Sequence, residues 1–255
     1  MHNSFKLTLV NTMRILIAGV SGAIGAALAE KLAARADVEI IGLCRQPGKA
    51  PVVLRESHQV LAWDAEKPEA LDQIAAELAA VVPRAEGLDM IIYAAGILHG
   101  ANMKPEKRLE DLQASSLARA MAVNASGFGL LVQALLPWLR HKRAKRIVAI
   151  SAKVGGIGDN RLGGWYAYRS SKAALNMLVK TLSVELPRRM SPVACIALHP
   201  GTTRSALSEP FSQSLANLEV HDADETAANL LAVIDQIDES ANGSFLSWDG
   251  SALPW

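Results

Sequence analysis

The sequence contains little cysteine, few aromatic residues and no excess of one charge sign. Its two cysteines, Cys44 and Cys195, are far apart and lie in apolar stretches, so we expect buried core residues and neither a disulfide nor a metal pair. That usage suits a reducing cytoplasm, where we expect the protein to be located. The net charge is +1 with both signs spread along the chain, which predicts no basic face for nucleic acid.

Long apolar runs are also missing, although half of the residues are hydrophobic. No run reaches the roughly 20 residues that a bilayer crossing needs, so we expect a soluble protein with no membrane partner. The six histidines show no spacing typical of metal ligands, and we expect no metal site. The densest basic stretch, residues 141–146, is predicted to be a solvated helix end, where cations complement the helix dipole.

From Arg14 onward, short β-branched runs alternate with longer amphipathic segments, which is typical of βαβ units. We predict seven strands, with the sequences RILIAG, VEIIGL, QVLAW, LDMIIYAAG, RIVAIS, VACIALHP and SFLSW. Helices are predicted at about 24–34, 68–81, 117–139, 165–186 and 223–237. The expected fold is a single α/β domain of the Rossmann type over residues 14–255, after an N-terminal extension of residues 1–13. Its doubly wound, mainly parallel seven-stranded sheet is flanked by helices.

A glycine-rich turn follows the first predicted strand and leads directly into a helix. Such a turn lets backbone N–H groups and a helix N-terminus face a pyrophosphate, and this context favours dinucleotide binding over a βα turn without a ligand. The candidate cofactor-binding residues here are Gly19, Ser21, Gly22, Ala23, Ile24 and Gly25. The second strand ends at Arg45, where an acid would bind the ribose of NAD and an arginine pairs with the 2′-phosphate of NADP. Arg45 therefore favours NADP(H), with NAD(H) as the alternative.

Tyr168 and Lys172 are four residues apart at the start of a predicted helix and therefore share one face. An ammonium close to a phenol favours the phenolate, which makes Tyr168 a candidate acid/base. The same spacing also arises from a packed tyrosine beside a lysine with a solvated head group.

Two further segments complete a pattern: Asn124 in MAVNASG and His199-Pro200-Gly201 after a late strand. Together with the glycine turn and the Tyr168–Lys172 pair, they occur in the order seen in short-chain dehydrogenase/reductases, which the chain resembles from Arg14 onward. The segment GIGDN at 156–160 and the residues at 163–166 are similar to the Sniffer-like carbonyl reductase and C-factor branch.

The resemblance implies an oxidoreductase that transfers a hydride between NAD(P)H and a small-molecule carbonyl or alcohol substrate. It implies that Tyr168 donates the proton, that Lys172 lowers its pKa and holds the nicotinamide ribose, and that Asn124 distorts its helix and anchors a water. The further cofactor contacts that it implies are Asp64, Ala95, Gly96, Pro200, Gly201, Thr203 and Ser205. It also implies a substrate lid at about 202–222 and a homodimer or homotetramer.

The sequence departs from the family pattern at the position of the substrate-orienting serine. Counting back from Gly155 places Ala152 there, with Ser151 one residue earlier. Adjacent strand residues face opposite sides, so Ser151 is a candidate catalytic residue only if the backbone is shifted. This departure leaves open a cofactor-binding signalling or regulatory protein with little turnover. An epimerase or dehydratase of the extended relatives is disfavoured by the short segment after Gly201.

Overall fold

A computed structural model of the chain describes residues 12–158, 160–208 and 220–255. These described residues form nine strands, which are, in chain order, β1 (Met13–Ala18), β2 (Val38–Cys44), β3 (Gln59–Ala62), β4 (Met90–Tyr93), β5 (Lys145–Ile150), β6 (Val193–His199), β7 (Thr202–Thr203), β8 (Val220–His221) and β9 (Phe245–Ser247). Seven form one parallel sheet in the order β3-β2-β1-β4-β5-β6-β9, while β7 and β8 form a separate two-stranded ribbon. The strand order reverses at β1, which places a crevice at the carboxyl ends of β1 and β4.

Helices cover both faces of the sheet. They are α1 (Ala23–Ala33), α2 (Val52–Ser57), α3 (Leu71–Val81), α4 (Ala114–Met121), α5 (Gly127–Leu135), α6 (Tyr166–Glu185), α7 (Pro187–Met190) and α8 (Ala223–Asp235). Alternate residues of β6 point to opposite faces: Cys195 and Ala197 pack with α3, α5 and α6, whereas Ile196 and Leu198 pack with α1 and α8. The predicted doubly wound, seven-stranded α/β fold is confirmed.

The predicted helices agree with the structure to within three residues, but the helix expected at 117–139 is not uniform. Between α4 and α5 the backbone widens into a π-helical turn, Ala122–Ser126, and a 3₁₀ turn, Leu136–Trp138, follows α5. Helices α2 and α7 and the β7–β8 ribbon were not predicted from the sequence. Residues 1–11 of the predicted extension and residues 209–219 of the predicted lid lie outside the described residues.

The helical stretch Ala114–Trp138 is long and apolar enough to cross a membrane by length and composition alone. Half of its most apolar window is buried inside the fold, and Phe128, Leu131 and Leu135 belong to the core. Core helices pass the same test, so the stretch is weak evidence for a membrane span.

The basic stretch after this helix is not the solvated helix end that we expected. Lys145 is 1% exposed, and its ammonium donates to the carbonyls of His141 and Arg143, each at 2.7 Å. Arg143 pairs with Asp89 at 2.5 Å. The prediction was wrong for Lys145, because β5 begins at this residue and its side chain is buried at the amino-terminal edge of the sheet.

Candidate functional site

The glycine turn between β1 and α1 is a cradle in which side chains would not fit. Gly19 has φ +95°, and a Cβ there would lie 2.7 Å from the Ala95 nitrogen. A Cβ on Gly25 would lie 2.3 Å from the Gly19 carbonyl oxygen. Gly22 caps α1 without a side-chain hydrogen bond from the described residues, and Ser21 and Gly22 are exposed. Unpaired N–H groups at a helix start suit a phosphate, so the turn fits the pyrophosphate of a dinucleotide.

Two more candidate contacts lie at the carboxyl ends of β2 and β3. These strands pair side by side with Cys44 opposite Ala62, so Arg45 and Asp64 lie on one edge of the sheet. Arg45 is exposed, and Asp64 is half-buried with Oδ1 accepting from the Glu66 nitrogen at 3.1 Å. This edge offers an unburied guanidinium and a carboxylate to the adenosine end of a bound dinucleotide.

Asn124 occupies the π-helical turn and joins three parts of the chain. Its Oδ1 accepts from the Ile97 nitrogen at 2.8 Å, and its Nδ2 donates to the Ile97 oxygen and to Ser171 Oγ, each at 2.9 Å. Ser171 Oγ in turn donates to the Tyr168 carbonyl at 2.8 Å. The fully buried amide therefore ties the loop after β4 to the start of α6.

Tyr168 and Lys172 lie on one face of α6, as the sequence predicts. The Lys172 Nζ atom is 5.9 Å from the centroid of the Tyr168 ring and donates to the Ile150 carbonyl at 2.8 Å. Burial lowers the pKa of Lys172 to about 7 and raises the pKa of Tyr168 to about 12. Burial disfavours both the Lys172 ammonium and the Tyr168 phenolate, so the Tyr168 phenol is protonated at neutral pH.

Gly96, in the segment after β4, lies close to the side chains of Asn124 and Lys172. A Cβ built on this exposed residue would lie 3.4 Å from Asn124 Oδ1 and 3.7 Å from Lys172 Nζ. Asn124, Lys172 and Tyr168 therefore meet beside an open main-chain surface at the carboxyl edge of the sheet, next to the glycine cradle.

Ser151 is buried directly after β5 rather than displayed at the edge. It is 2% exposed, and its hydroxyl donates to Asn176 Oδ1 on α6 at 2.6 Å. Ala152 follows in an extended conformation with φ −147° and ψ 142°, and extended neighbours project in opposite directions. Ser151 could orient a substrate only by giving up its bond to Asn176.

The segment after β6 turns at Gly201, which has φ +72°. A Cβ there would lie 2.8 Å from Trp248 Cδ1, so the Trp248 ring packs directly against this turn. The Thr203 hydroxyl contacts that of Thr226 at 3.0 Å. Pro200 lies partly exposed in this turn, and the Ser205 nitrogen donates to Ser208 Oγ at 3.0 Å.

His199 precedes this turn and does not resemble a base. Burial, together with the nearby Lys153 and Lys172 ammonium groups, lowers its pKa to about 4. Its imidazole is therefore neutral at physiological pH.

Three residues that support the site escaped the sequence analysis: Ser171, Asn176 and Glu106. Ser171 and Asn176 bond to Asn124 and Ser151, and Glu106 bonds to the start of α6. Their partners are 25 to 61 positions away, so no local spacing marks them.

The fold and this geometry define a protein of the dinucleotide-binding α/β class, with a tyrosine and a lysine beside the cofactor cradle. The family model for short chain dehydrogenases matches residues 13–216, and the chain belongs to this family.

Individual relatives agree with this assignment. The C-signal protein of Myxococcus xanthus is 33% identical over 147 residues, which cover 58% of this chain and 83% of that protein. The carbonyl reductase Sniffer of D. melanogaster has a TM-score of 0.80 and 26% identity, covering 96% of this chain and 100% of its own. An NADPH-bound carbonyl reductase from chicken fatty liver has a TM-score of 0.80 and 25% identity, and the match covers 96% of this chain and 99% of that chain. The resemblance to the Sniffer-like and C-factor branch is confirmed.

Proposed function

We propose that this oxidoreductase is an NADP(H)-dependent enzyme that interconverts a small carbonyl compound and its alcohol. The observation that carries the proposal is the approach of the Lys172 ammonium to the Tyr168 ring beside Asn124 and Gly96. A signalling or regulatory role without turnover would need the cofactor cradle but would not need this arrangement of ionisable groups.

Tyr168 acts as the proton donor during carbonyl reduction. Its phenol is protonated at neutral pH because burial raises its pKa to about 12. Once the proton is transferred to the carbonyl oxygen, the nearby Lys172 ammonium stabilises the phenolate that remains. The bound nicotinamide supplies or accepts the hydride. In the reverse direction the phenolate accepts the proton of the alcohol.

Asn124 supports proton return to Tyr168 through the shape of its helix. Its side-chain amide already bonds to Ile97 and Ser171, so a relay water would be held by the main chain of the widened turn Ala122–Ser126. A π-helical turn changes the pairing of the helix carbonyl groups, and in this proposal one of these carbonyl groups accepts from the water.

The cofactor lies across the carboxyl edge from Arg45 to Gly201 in this proposal. The glycine turn would bind the pyrophosphate, and Asp64 would bind the adenine amino group. Ala95 and Gly96 would contact the cofactor, and Pro200, Gly201, Thr203 and Ser205 would line the nicotinamide carboxamide. We further propose a substrate lid over residues 202–222, a homodimer or homotetramer, and a cytoplasmic location.

Titration with NADPH and NADH, followed by a panel of aldehydes and ketones, tests the proposed activity. We expect tighter binding of NADPH and oxidation of NADPH that depends on a carbonyl compound. Tight NADPH binding without turnover of any carbonyl would favour the regulatory role instead.

Arg45→Glu should reverse the cofactor preference. A charge-assisted hydrogen bond contributes about 1.5–3 kcal/mol, so we expect the Kd for NADPH to rise by about 10- to 100-fold. The Kd for NADH should stay the same or fall, because NADH carries no 2′-phosphate and an acid at this position can bind its ribose hydroxyl groups. Fluorescence titration measures both constants, with the exposed Arg188→Glu as the control. Equal weakening of both cofactors would exclude a 2′-phosphate contact.

Ala152→Ser should raise kcat/KM for a carbonyl substrate by about three- to tenfold. A hydroxyl at this position can donate to the carbonyl oxygen, and such a donor strengthens as charge develops in the transition state. The comparison is made by steady-state kinetics with Ala76→Ser on the exposed face of α3 as the control. An unchanged or lower value would show that another group orients the carbonyl.

A further inference from the structure

Helix α6, which carries Tyr168 and Lys172, begins without a side-chain cap of its own. Its N-cap residue is Trp165, which makes no side-chain cap bond within the described part of the chain. Trp165 has φ 52° and ψ 42°, a left-handed conformation that is uncommon for a bulky residue. Gly163 and Gly164 precede it with φ +63° and +64°. Such a backbone persists where surrounding contacts hold it.

Glu106, from the loop between β4 and α4, supplies the missing contacts. Its carbonyl accepts from the Trp165 nitrogen at 2.6 Å, and its Oε2 accepts from the Ala167 nitrogen at 3.3 Å. A Cβ on Gly164 would lie 3.2 Å from the Glu106 carbonyl oxygen, so a glycine permits this close approach. One residue therefore satisfies two of the N–H groups that a helix start leaves without intrahelical partners.

The Glu106 side chain is buried to an extent that is unusual for a carboxylate. It is 3% exposed, and its Oε1 has no hydrogen-bond partner among the described residues. Burying a carboxylate costs free energy unless charge or hydrogen bonds compensate. The partial positive charge at the start of α6 provides such compensation, which places the carboxylate where it stabilises this end of the helix.

The contacts of Glu106 lead directly to the phenol. Ala167, its side-chain partner, is fully buried against Met103 and Ala120 and immediately precedes Tyr168. Trp165, its main-chain partner, packs its ring edge to face with Tyr168, with ring centroids 6.2 Å apart and an interplanar angle of 77°. The two residues that Glu106 holds are thus the ones that flank or contact Tyr168.

We infer that Glu106 is a positioning residue that fixes the first turn of α6 and thereby the orientation of the Tyr168 phenol. This inference rests on the proposed function, in which Tyr168 transfers the proton. Proton transfer depends on the alignment of donor and acceptor, and a displacement of about 1 Å can lower a rate by about 100-fold. Glu106 touches neither substrate nor cofactor in this assignment and acts through Trp165 and Ala167.

Two substitutions at Glu106 separate positioning from stability. We expect Glu106→Ala to lower kcat by about 10- to 100-fold. KM for NADPH should stay within about twofold, since the glycine turn contacts the loop at Ala94 and Ala95, whereas Glu106 bonds to the start of α6. Glu106→Gln keeps an oxygen that accepts from the Ala167 nitrogen, and should retain kcat within about threefold of the wild type. Glu110→Ala, on the exposed part of the same loop, is the control and should match the wild type. An unchanged kcat in Glu106→Ala, or a loss that Glu106→Gln does not restore, would overturn the inference.

Hydrogen exchange of the backbone amides tests the same assignment without turnover. Glu106→Ala should accelerate exchange in the peptide spanning residues 164–170 by more than about tenfold, because the first turn loses its cap, and leave α1 and α8 unchanged. The inference would be overturned if exchange became faster across all helices, or if the exchange rate at residues 164–170 did not change. If the wild type reduces no carbonyl, the proposed function fails, yet this measurement still decides whether Glu106 holds the first turn.

Discussion

Tyr168→Phe should lower kcat for a carbonyl substrate by about 1,000-fold, with the Kd for NADPH changed by less than about threefold. General acid catalysis by a positioned side chain contributes typically 10²- to 10⁴-fold, and the substitution removes the only atom through which Tyr168 can donate a proton. Phenylalanine retains the ring that packs edge to face with Trp165, so the first turn of α6 should keep its structure. Single-turnover and steady-state measurements of NADPH oxidation give kcat, and fluorescence titration gives the Kd.

Tyr166→Phe provides the matched control for this experiment. Tyr166 lies on the same helix two residues earlier, and it lines a cavity of about 270 Å³ between α6 and residues 154–157, 160, 163 and 164. Neither Tyr168 nor Lys172 lines that cavity. We expect the control to retain kcat within about twofold. Equal activity of Tyr168→Phe and the wild type would exclude Tyr168 as the proton donor.

Lys172→Met should lower kcat by about 100-fold and raise the Kd for NADPH by about tenfold. Methionine preserves most of the buried length of the side chain but removes the ammonium that, in the proposed mechanism, stabilises the phenolate. It also leaves the Ile150 carbonyl without its donor, and an unsatisfied buried group costs about 1–3 kcal/mol. The same kinetic and binding measurements apply, and a thermal unfolding curve separates lost stability from lost function.

The lowered pKa of Lys172 predicts that this residue takes up a proton when NADPH binds. Because burial lowers this pKa to about 7, the side chain is mostly neutral at pH 8 before a cofactor binds. Hydroxyl groups of a ribose and the negative charge of the cofactor favour the ammonium, so NADPH binding at pH 8 should take up close to one proton. Calorimetry in buffers of different ionisation enthalpy measures this uptake, which should disappear in Lys172→Met.

Lys180→Met, on the exposed side of α6, is the control for both measurements. Its ammonium lies 6.0 Å from the centroid of the Trp255 ring, at the end of α6 far from Tyr168. We expect wild-type kcat and wild-type proton uptake. Proton uptake that persists in Lys172→Met would assign the titration to a different group.

Much of the fold could be predicted because its signals are local. β-branched runs alternate with amphipathic segments, which indicates βαβ units and a parallel sheet, and the right-handed crossover rule then gives the doubly wound arrangement. The glycine turn could also be predicted from the sequence, since its residues are consecutive and glycines occupy the positions where a Cβ would collide. The Tyr168–Lys172 pair was readable because four residues complete about one helical turn. The π-helical turn around Asn124 was anticipated only through family resemblance, since no local propensity marks it.

The sequence by itself thus determined the order of strands and helices, the cofactor cradle and the tyrosine–lysine pair. The tertiary structure alone decided that Ser151 bonds to Asn176, that Asn124 joins Ile97 to Ser171, and that Glu106 caps the start of α6. The physical reason is that these hydrogen bonds join segments that are distant in sequence, so they depend on how helices pack against the sheet. Local backbone preferences act over a few residues and do not determine which distant residue a buried polar group will bond to.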